Sequence, residues 1–108
     1  MNFDELLVKE KEFIEQFKCK CIWSALSMMN NCVLDAELVS GLGLQEGVFE
    51  KMAKKKWKKK VLPKLKSGAP TPTSSVKWHD ITVWLDNHVG HELTEELIEE
   101  LRQLVIPK

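Results

Sequence analysis

The sequence predicts a mainly α-helical fold with one small two-stranded β wing and extra helices at its N- and C-terminal ends. Three observations predict it. Apolar residues recur at spacings of three and four through both terminal thirds of the chain, the mark of amphipathic helices. Residues suited to N-caps stand ahead of such runs at Asp35, Asp80 and Thr94. Between them Pro63, Gly68, Pro70 and Pro72 interrupt residues 58–77, through which no helix is expected to run. At 108 residues, 44% hydrophobic and 30% charged, this is one domain's worth of globular chain.

The elements follow in order. Phe3, Leu6, Leu7, Phe13, Ile14 and Phe17 line one side of residues 3–17 and predict the first helix. Residues 19–29 read as a second helix, although the alternation of Cys19, Cys21 and Trp23 also permits a short strand. Asp35 caps a short helix over 36–40, and Gly41-Leu42-Gly43 makes a turn. A longer helix runs from Gln45 to about Trp57, with Val48, Phe49, Met52, Ala53 and Trp57 along its docking side. Val61-Leu62 and Val76-Lys77-Trp78 are expected to pair as the wing, with 67–73 as its tip. Asp80 caps a helix through Ile81, Trp84 and Leu85 that ends at Val89-Gly90. Thr94 caps the last helix, whose stripe is Leu93, Leu97, Leu101, Leu104 and Val105 and whose stop is Pro107. No internal repeat is visible. The expected organisation is a helical extension over 1–33, a central module over 34–91 and an acidic amphipathic helix over 92–108.

A net charge of zero conceals a strong partition. Residues 1–50 hold nine acids and four lysines, a balance of −5. Residues 51–77 hold ten lysines and no acid, a balance of +10. Residues 78–108 return to −5, with seven acids against Arg102 and Lys108. A block this one-sided points to a polyanion. Other classes are disfavoured. No apolar run approaches the roughly 18 residues of a membrane span, so no membrane partner is expected. The acidic start, Asp4-Glu5, is unlike a secretory leader, and three cysteines do not pair evenly. Both predict a cytoplasmic, nucleoid-associated protein, or a nuclear one in a eukaryotic source. Neither a phosphate-binding glycine loop, nor a nucleophile elbow, nor an HExxH is present, so no catalytic residue is expected. Cys19-x-Cys21, Cys32, His79, His88 and His91 match zinc spacing poorly, and free thiols are expected instead, with no metal or cofactor.

A resemblance sharpens the polyanion reading. Glu37-Leu38-Val39 with Gly43-Leu44, then Phe49, Met52 and Ala53, precede Val76-Lys77-Trp78, Asp80-Ile81 and Trp84-Leu85. In this order residues 34–89, about half the chain, resemble the winged helix-turn-helix of the excisionase and MerR-like group of phage and mobile-element DNA-binding proteins. The resemblance implies a Trp closing the second wing strand and an Asp-Ile-x-x-Trp-Leu helix packed behind a recognition helix. It also implies an architectural factor that bends attachment-site double-stranded DNA or regulates transcription. An integrase or another protein, or further copies bound cooperatively on the DNA, would be its partners. The chain departs from the group in having Gln45 where Ser or Thr is usual, and no arginine in the helix. Gly47 also stands inside that helix, at a cost of about 1 kcal/mol relative to Ala.

On this reading the nucleic-acid-binding residues are Gln45, Lys51, Lys54, Lys55, Lys58, Lys59, Lys60, Lys64, Lys66 and Lys77. Each lysine that neutralises a phosphate releases a counterion. Lysine lacks the bidentate fork with which arginine reads guanine, so the expected binding is sequence-tolerant. Base contacts would fall to Gln45 and Lys51, and Glu46 either accepts from a cytosine amine or only favours the helix N-terminus. Trp78 and Trp84 read as core, and Trp57, among lysines, as core or as a stacking platform. Competing readings of the block are a solvated face and a nuclear-targeting run. The flanking acidic helices either close the core, dimerise or bind another protein, as in a small phage inhibitor or adaptor. RNA is a further candidate ligand.

Overall fold

The computed structural model describes residues 2–68 and 76–106, and every regular element among them is helical. Helix α1 spans Phe3–Ser27, started by Asn2, whose side chain accepts from the Glu5 N–H at 2.8 Å. Neither Gly nor Pro occurs before Gly41, so nothing breaks this helix where two were expected. Its buried positions Ile14, Lys18, Ile22 and Leu26 recur every four residues. Helix α2 spans Ala36–Leu44, with Asp35 Oδ1 accepting from the Leu38 N–H at 2.7 Å. The expected turn at Gly41–Gly43 does not form. Helical glycine costs up to about 1 kcal/mol against Ala, and burial of Leu42 on the same turn offsets that.

Helix α3 spans Glu46–Lys56 and passes without a break into a π-helical turn, Trp57–Val61, and then α4, Leu62–Lys66. The expectation that no helix crosses Pro63 is thereby corrected. In a regular α-helix Pro63 would withhold a hydrogen bond from the carbonyl four residues back and collide with it. Here the chain widens just before it, the Leu62 N–H bonding to the Trp57 carbonyl one residue further back than α geometry requires. Buried Trp57 and Leu65 hold this rod to the rest of the molecule. Helix α5 spans Trp78–Asn87, and α6 spans Glu95–Val105 behind Thr94, whose Oγ1 accepts from the Leu97 N–H at 3.2 Å.

The two-stranded β wing is overturned, and the winged helix-turn-helix with it. Val61 closes the π turn, Leu62 opens α4 and Trp78 opens α5, so the residues expected to pair lie in helices. No β-strand occurs among the described residues. Most of the expected tip, and Pro107, lie outside them. The apolar content of Val61 and Leu62 serves a helix as well as a strand, and a run that short carries no period of its own.

The β pairing that does form lies elsewhere, as one isolated antiparallel bridge between Val33 and Glu92. It joins the α1–α2 loop to the α5–α6 loop and exposes a repeat that sequence inspection missed. Asn31 N–H donates to Leu93 O at 2.8 Å and Gly90 N–H to Leu34 O at 2.7 Å. Leu93 N–H donates to Cys32 O at 2.7 Å and Leu34 N–H to His91 O at 2.9 Å. Each pair of bonds exchanges partners when 59 is added to the first loop's numbers. The same offset relates the left-handed residues Asn31 and Gly90, at φ 73° and 90°, and the caps Asp35 and Thr94. Between residues 19–46 and 78–105 it also relates six identical pairs: Ile22/Ile81, Leu26/Leu85, Leu34/Leu93, Glu37/Glu96, Leu38/Leu97 and Leu42/Leu101. The chain therefore contains two helix–loop–helix units paired about a local two-fold axis through the bridge. The apolar identities are core or half-buried positions, scattered too widely to stand out as a run.

One core serves both units. Cys19, Ile22, Leu26, Leu34, Leu42, Ile81, Trp84, Leu85, Leu93, Leu101 and Val105 pack in it. Helix α1 touches α3, α5 and α6, while α2 closes against α5 and α3.

Candidate nucleic-acid interface

The rod from Glu46 to Lys66 is about 30 Å long at 1.5 Å per residue. Ala53, Trp57 and Leu65 form its buried line, and Trp57 packs on Phe13 of α1 with ring centroids 5.7 Å apart. Trp57 is thus a core anchor rather than a stacking platform. The opposite consequence falls on the lysines. Lys51, Lys54, Lys55, Lys58, Lys59, Lys60, Lys64 and Lys66 are all exposed on this rod, and so is Lys56, which the sequence reading left out. Lys56 lies over the Phe17 ring at 5.5 Å. None of the nine belongs to an ion pair among the described residues, whose ion pairs involve Lys18, His88 and Arg102. The structure brings these predicted lysines onto one element, whereas Lys77 stands apart as the exposed N-cap of α5. Gln45 is exposed at the joint of α2 and α3, where its side chain makes no capping bond.

Glu46 is ion-paired within the protein. Its Oε2 receives a hydrogen bond from Lys18 Nζ at 2.9 Å, and the same ammonium meets Glu15 Oε1 at 3.1 Å. Lys18 Nζ also sits 5.5 Å from the centre of the Trp78 ring, and Glu15 Oε2 accepts from the Trp78 N–H at 2.7 Å. Four residues from α1, α3 and α5 thus make one junction that fixes the start of the rod. Burial opposes the Lys18 charge, but the hydrogen bonds it donates to Glu46 and Glu15 outweigh it and raise its pKa. Burial likewise opposes the Glu15 charge. The bond from Trp78 and the Lys18 ammonium outweigh it, and the carboxyl sits below its ordinary value.

Sequence reading passed over this junction, although a signal was present. Lys18 falls four residues from both Ile14 and Ile22, on the buried line of α1, and a lysine there needs an acid partner. Trp84 is buried and its indole N–H reaches Glu100 Oε1 at 3.2 Å, while Trp78 is half-buried against Phe49. Among the cysteines, Cys19 is buried and its thiol is pushed up to about 12 by that burial, whereas Cys32 is exposed. Among the described residues no cluster of three or more His, Cys, Asp and Glu is placed to hold a metal ion. No described helix is long and apolar enough to cross a membrane. Of the remaining acids, Glu50 is half-buried on the rod itself beside Lys51, and most others lie on the other helices, with Asp4, Glu5, Glu10 and Glu12 on α1 and Glu95, Glu96, Glu99 and Glu100 on α6. The rod's exposed lysines make a cationic surface on which, among the described residues, no lysine is ion-paired. No protein-family model, curated protein or solved structure matches the chain.

Proposed function

We propose that this protein binds double-stranded DNA through its lysine rod, with little sequence preference, by phosphate attraction. The observation that carries the reading is the rod itself: nine exposed lysines on one continuous helical stretch, unpaired within the described chain, anchored along a single buried line. Duplex DNA presents a phosphate charge about every 1.7 Å of its axis, so a cation array of about 30 Å can engage several at once. Lysine's point charge suits that role better than base reading does. A solvated face of this composition would be expected to intersperse both signs for solubility, and residues 51–66 contain no acid. The reading of the acidic helices as the binding surface is less well supported, because Leu93, Leu101 and Val105 are fully buried in the protein's own core.

A fluorescence-anisotropy titration on mixed-sequence duplex DNA across salt concentrations tests this. The logarithm of affinity is expected to fall against the logarithm of salt with a slope on the order of −5. Replacing Lys51, Lys54 and Lys55 with Gln is expected to make the slope shallower by about 3 while the helical signal stays unchanged. Absence of salt-dependent binding to the duplex sinks the reading. Tighter binding to double-stranded RNA moves it to the other nucleic acid.

A further inference from the structure

The solvent side of the rod is not uniform. Its first turn carries no lysine, and Gln45, Gly47 and Val48 are exposed there before the lysines begin at Lys51. Leu44, Val48 and Met52 follow one another at intervals of four and are 83%, 50% and 49% exposed. They form an apolar stripe along the start of the rod, away from the buried line of Ala53 and Trp57. Lys51 and Lys55 stand three residues beyond Val48 and Met52, hence on the same face. Nothing occupies the space that a Cβ on Gly47 would fill, so the backbone beside the stripe is bare. An apolar stripe left in water beside lysines calls for an occupant that carries anionic groups next to apolar ones.

We infer that the N-terminal half of the rod enters the major groove of duplex DNA and that Val48 and Met52 contact thymine methyl groups there. The inference rests on the reading of the rod as a DNA-binding surface and adds what that surface meets between the phosphates. The major groove is about 12 Å wide and admits an α-helix, and the thymine 5-methyl is the apolar group that distinguishes one base there. Lys51 and Lys55 line one edge of the stripe, where they can meet the phosphates of one groove wall, and the lysines of the π turn and α4 continue along the backbone. An apolar protein partner would have to bury those ammonium groups beside the stripe or bring its own acids to them. The resulting preference is for A·T-containing steps, superimposed on phosphate attraction that is blind to sequence.

The test is a matched pair of duplexes, one with thymine and one with uracil at every such position, so that they differ only in methyl groups. The wild-type chain is expected to bind the uracil duplex about threefold to tenfold more weakly at a single salt concentration. The double variant Val48→Ala, Met52→Ala is expected to bind both duplexes alike, with the salt slope of the wild type. Val83→Ala, a similarly exposed change on α5, is expected to keep the discrimination. Equal wild-type affinity for the two duplexes, with the salt slope intact, overturns this inference and leaves phosphate binding standing. Discrimination that survives in the double variant overturns the assignment to Val48 and Met52. Failure to bind either duplex removes the inference together with the reading beneath it.

Discussion

The two helix–loop–helix units share a design and differ at their ends. In both, a residue with left-handed backbone follows three or four positions after a helix ends, three residues later a fully buried leucine enters the core, and a polar side chain caps the next helix. The second unit begins at Trp78 and ends at Val105. The first is extended in both directions, backwards by the early turns of α1 and forwards by the lysine rod, and these extensions pack on each other. The paired units therefore act as a scaffold, and the cationic element is an addition that only one of them carries. The difference separates residues that keep the fold from residues that give the surface its charge, since no lysine of the rod has a counterpart in the second unit.

The largest test of the equivalence lies at the bridge. Leu34→Ala and Leu93→Ala each remove a fully buried side chain next to the paired loops, and each is expected to cost about 2–5 kcal/mol in urea unfolding. Equivalent units predict two losses within about 1 kcal/mol of each other, with cavities of similar lining on either side of the local axis. If one site tolerates alanine and the other does not, the two-fold relation describes backbone geometry without shared energetics.

A second, smaller test concerns the left-handed residues. Gly90 at φ 90° and Asn31 at φ 73° do the same job with different chemistry, since asparagine tolerates that region better than other residues with a side chain. Gly90→Ala is expected to cost about 1–2 kcal/mol, and Gly90→Asn less than about 1 kcal/mol. Thermal unfolding of the two variants decides the matter, and an asparagine no better than alanine breaks the equivalence at this position.

Much of this scaffold was legible in the residues. Asp35 and Thr94 cap the helices that the sequence assigns them, because a capping side chain acts within three residues and needs nothing distant. Asp80 begins its helix differently, accepting from the Lys77 N–H three residues before it, so α5 starts earlier than expected. The wing was misread because Pro63 and the apolar pair before it are local signals, whereas the π turn that lets the helix pass is accompanied by the docking of Trp57 on Phe13 of α1 and the burial of Leu65. Helical continuity at Gly41 and Gly43 was missed likewise, since tertiary burial of Leu42 outweighs a weak local preference. Of the candidate site, the lysines up to about Lys58 were placed on their helix by sequence, whereas Lys59, Lys60, Lys64 and Lys66 were assigned to the non-helical stretch that the structure makes helical. The ion-paired junction at its base joins Glu15 and Lys18 to Glu46 and Trp78, and such long-range pairing leaves only the misplaced charge of Lys18 as a trace.

The smallest expected effect bears on how the two units are tied together. Glu15 belongs to the backward extension of the first unit, yet it accepts the N–H of Trp78, the first residue of the second unit's first helix. Its folded pKa lies below the ordinary value of 4.5, so its charged form is favoured by folding. The stability this contributes is fully present above pH 4.5 and is lost as the pH falls through the lower, folded value. Glu15→Gln keeps an oxygen for the Trp78 N–H but removes the charge beside Lys18. The variant is expected to be less stable than the wild type near neutral pH, by about 1 kcal/mol or less for a partly exposed pair, and to match it at low pH. Denaturant unfolding of both proteins at neutral pH and well below pH 4.5 measures the convergence. A gap that persists unchanged into acid assigns the link between the units to the hydrogen bond and the packing of α1 on Trp78, with the carboxylate charge contributing nothing.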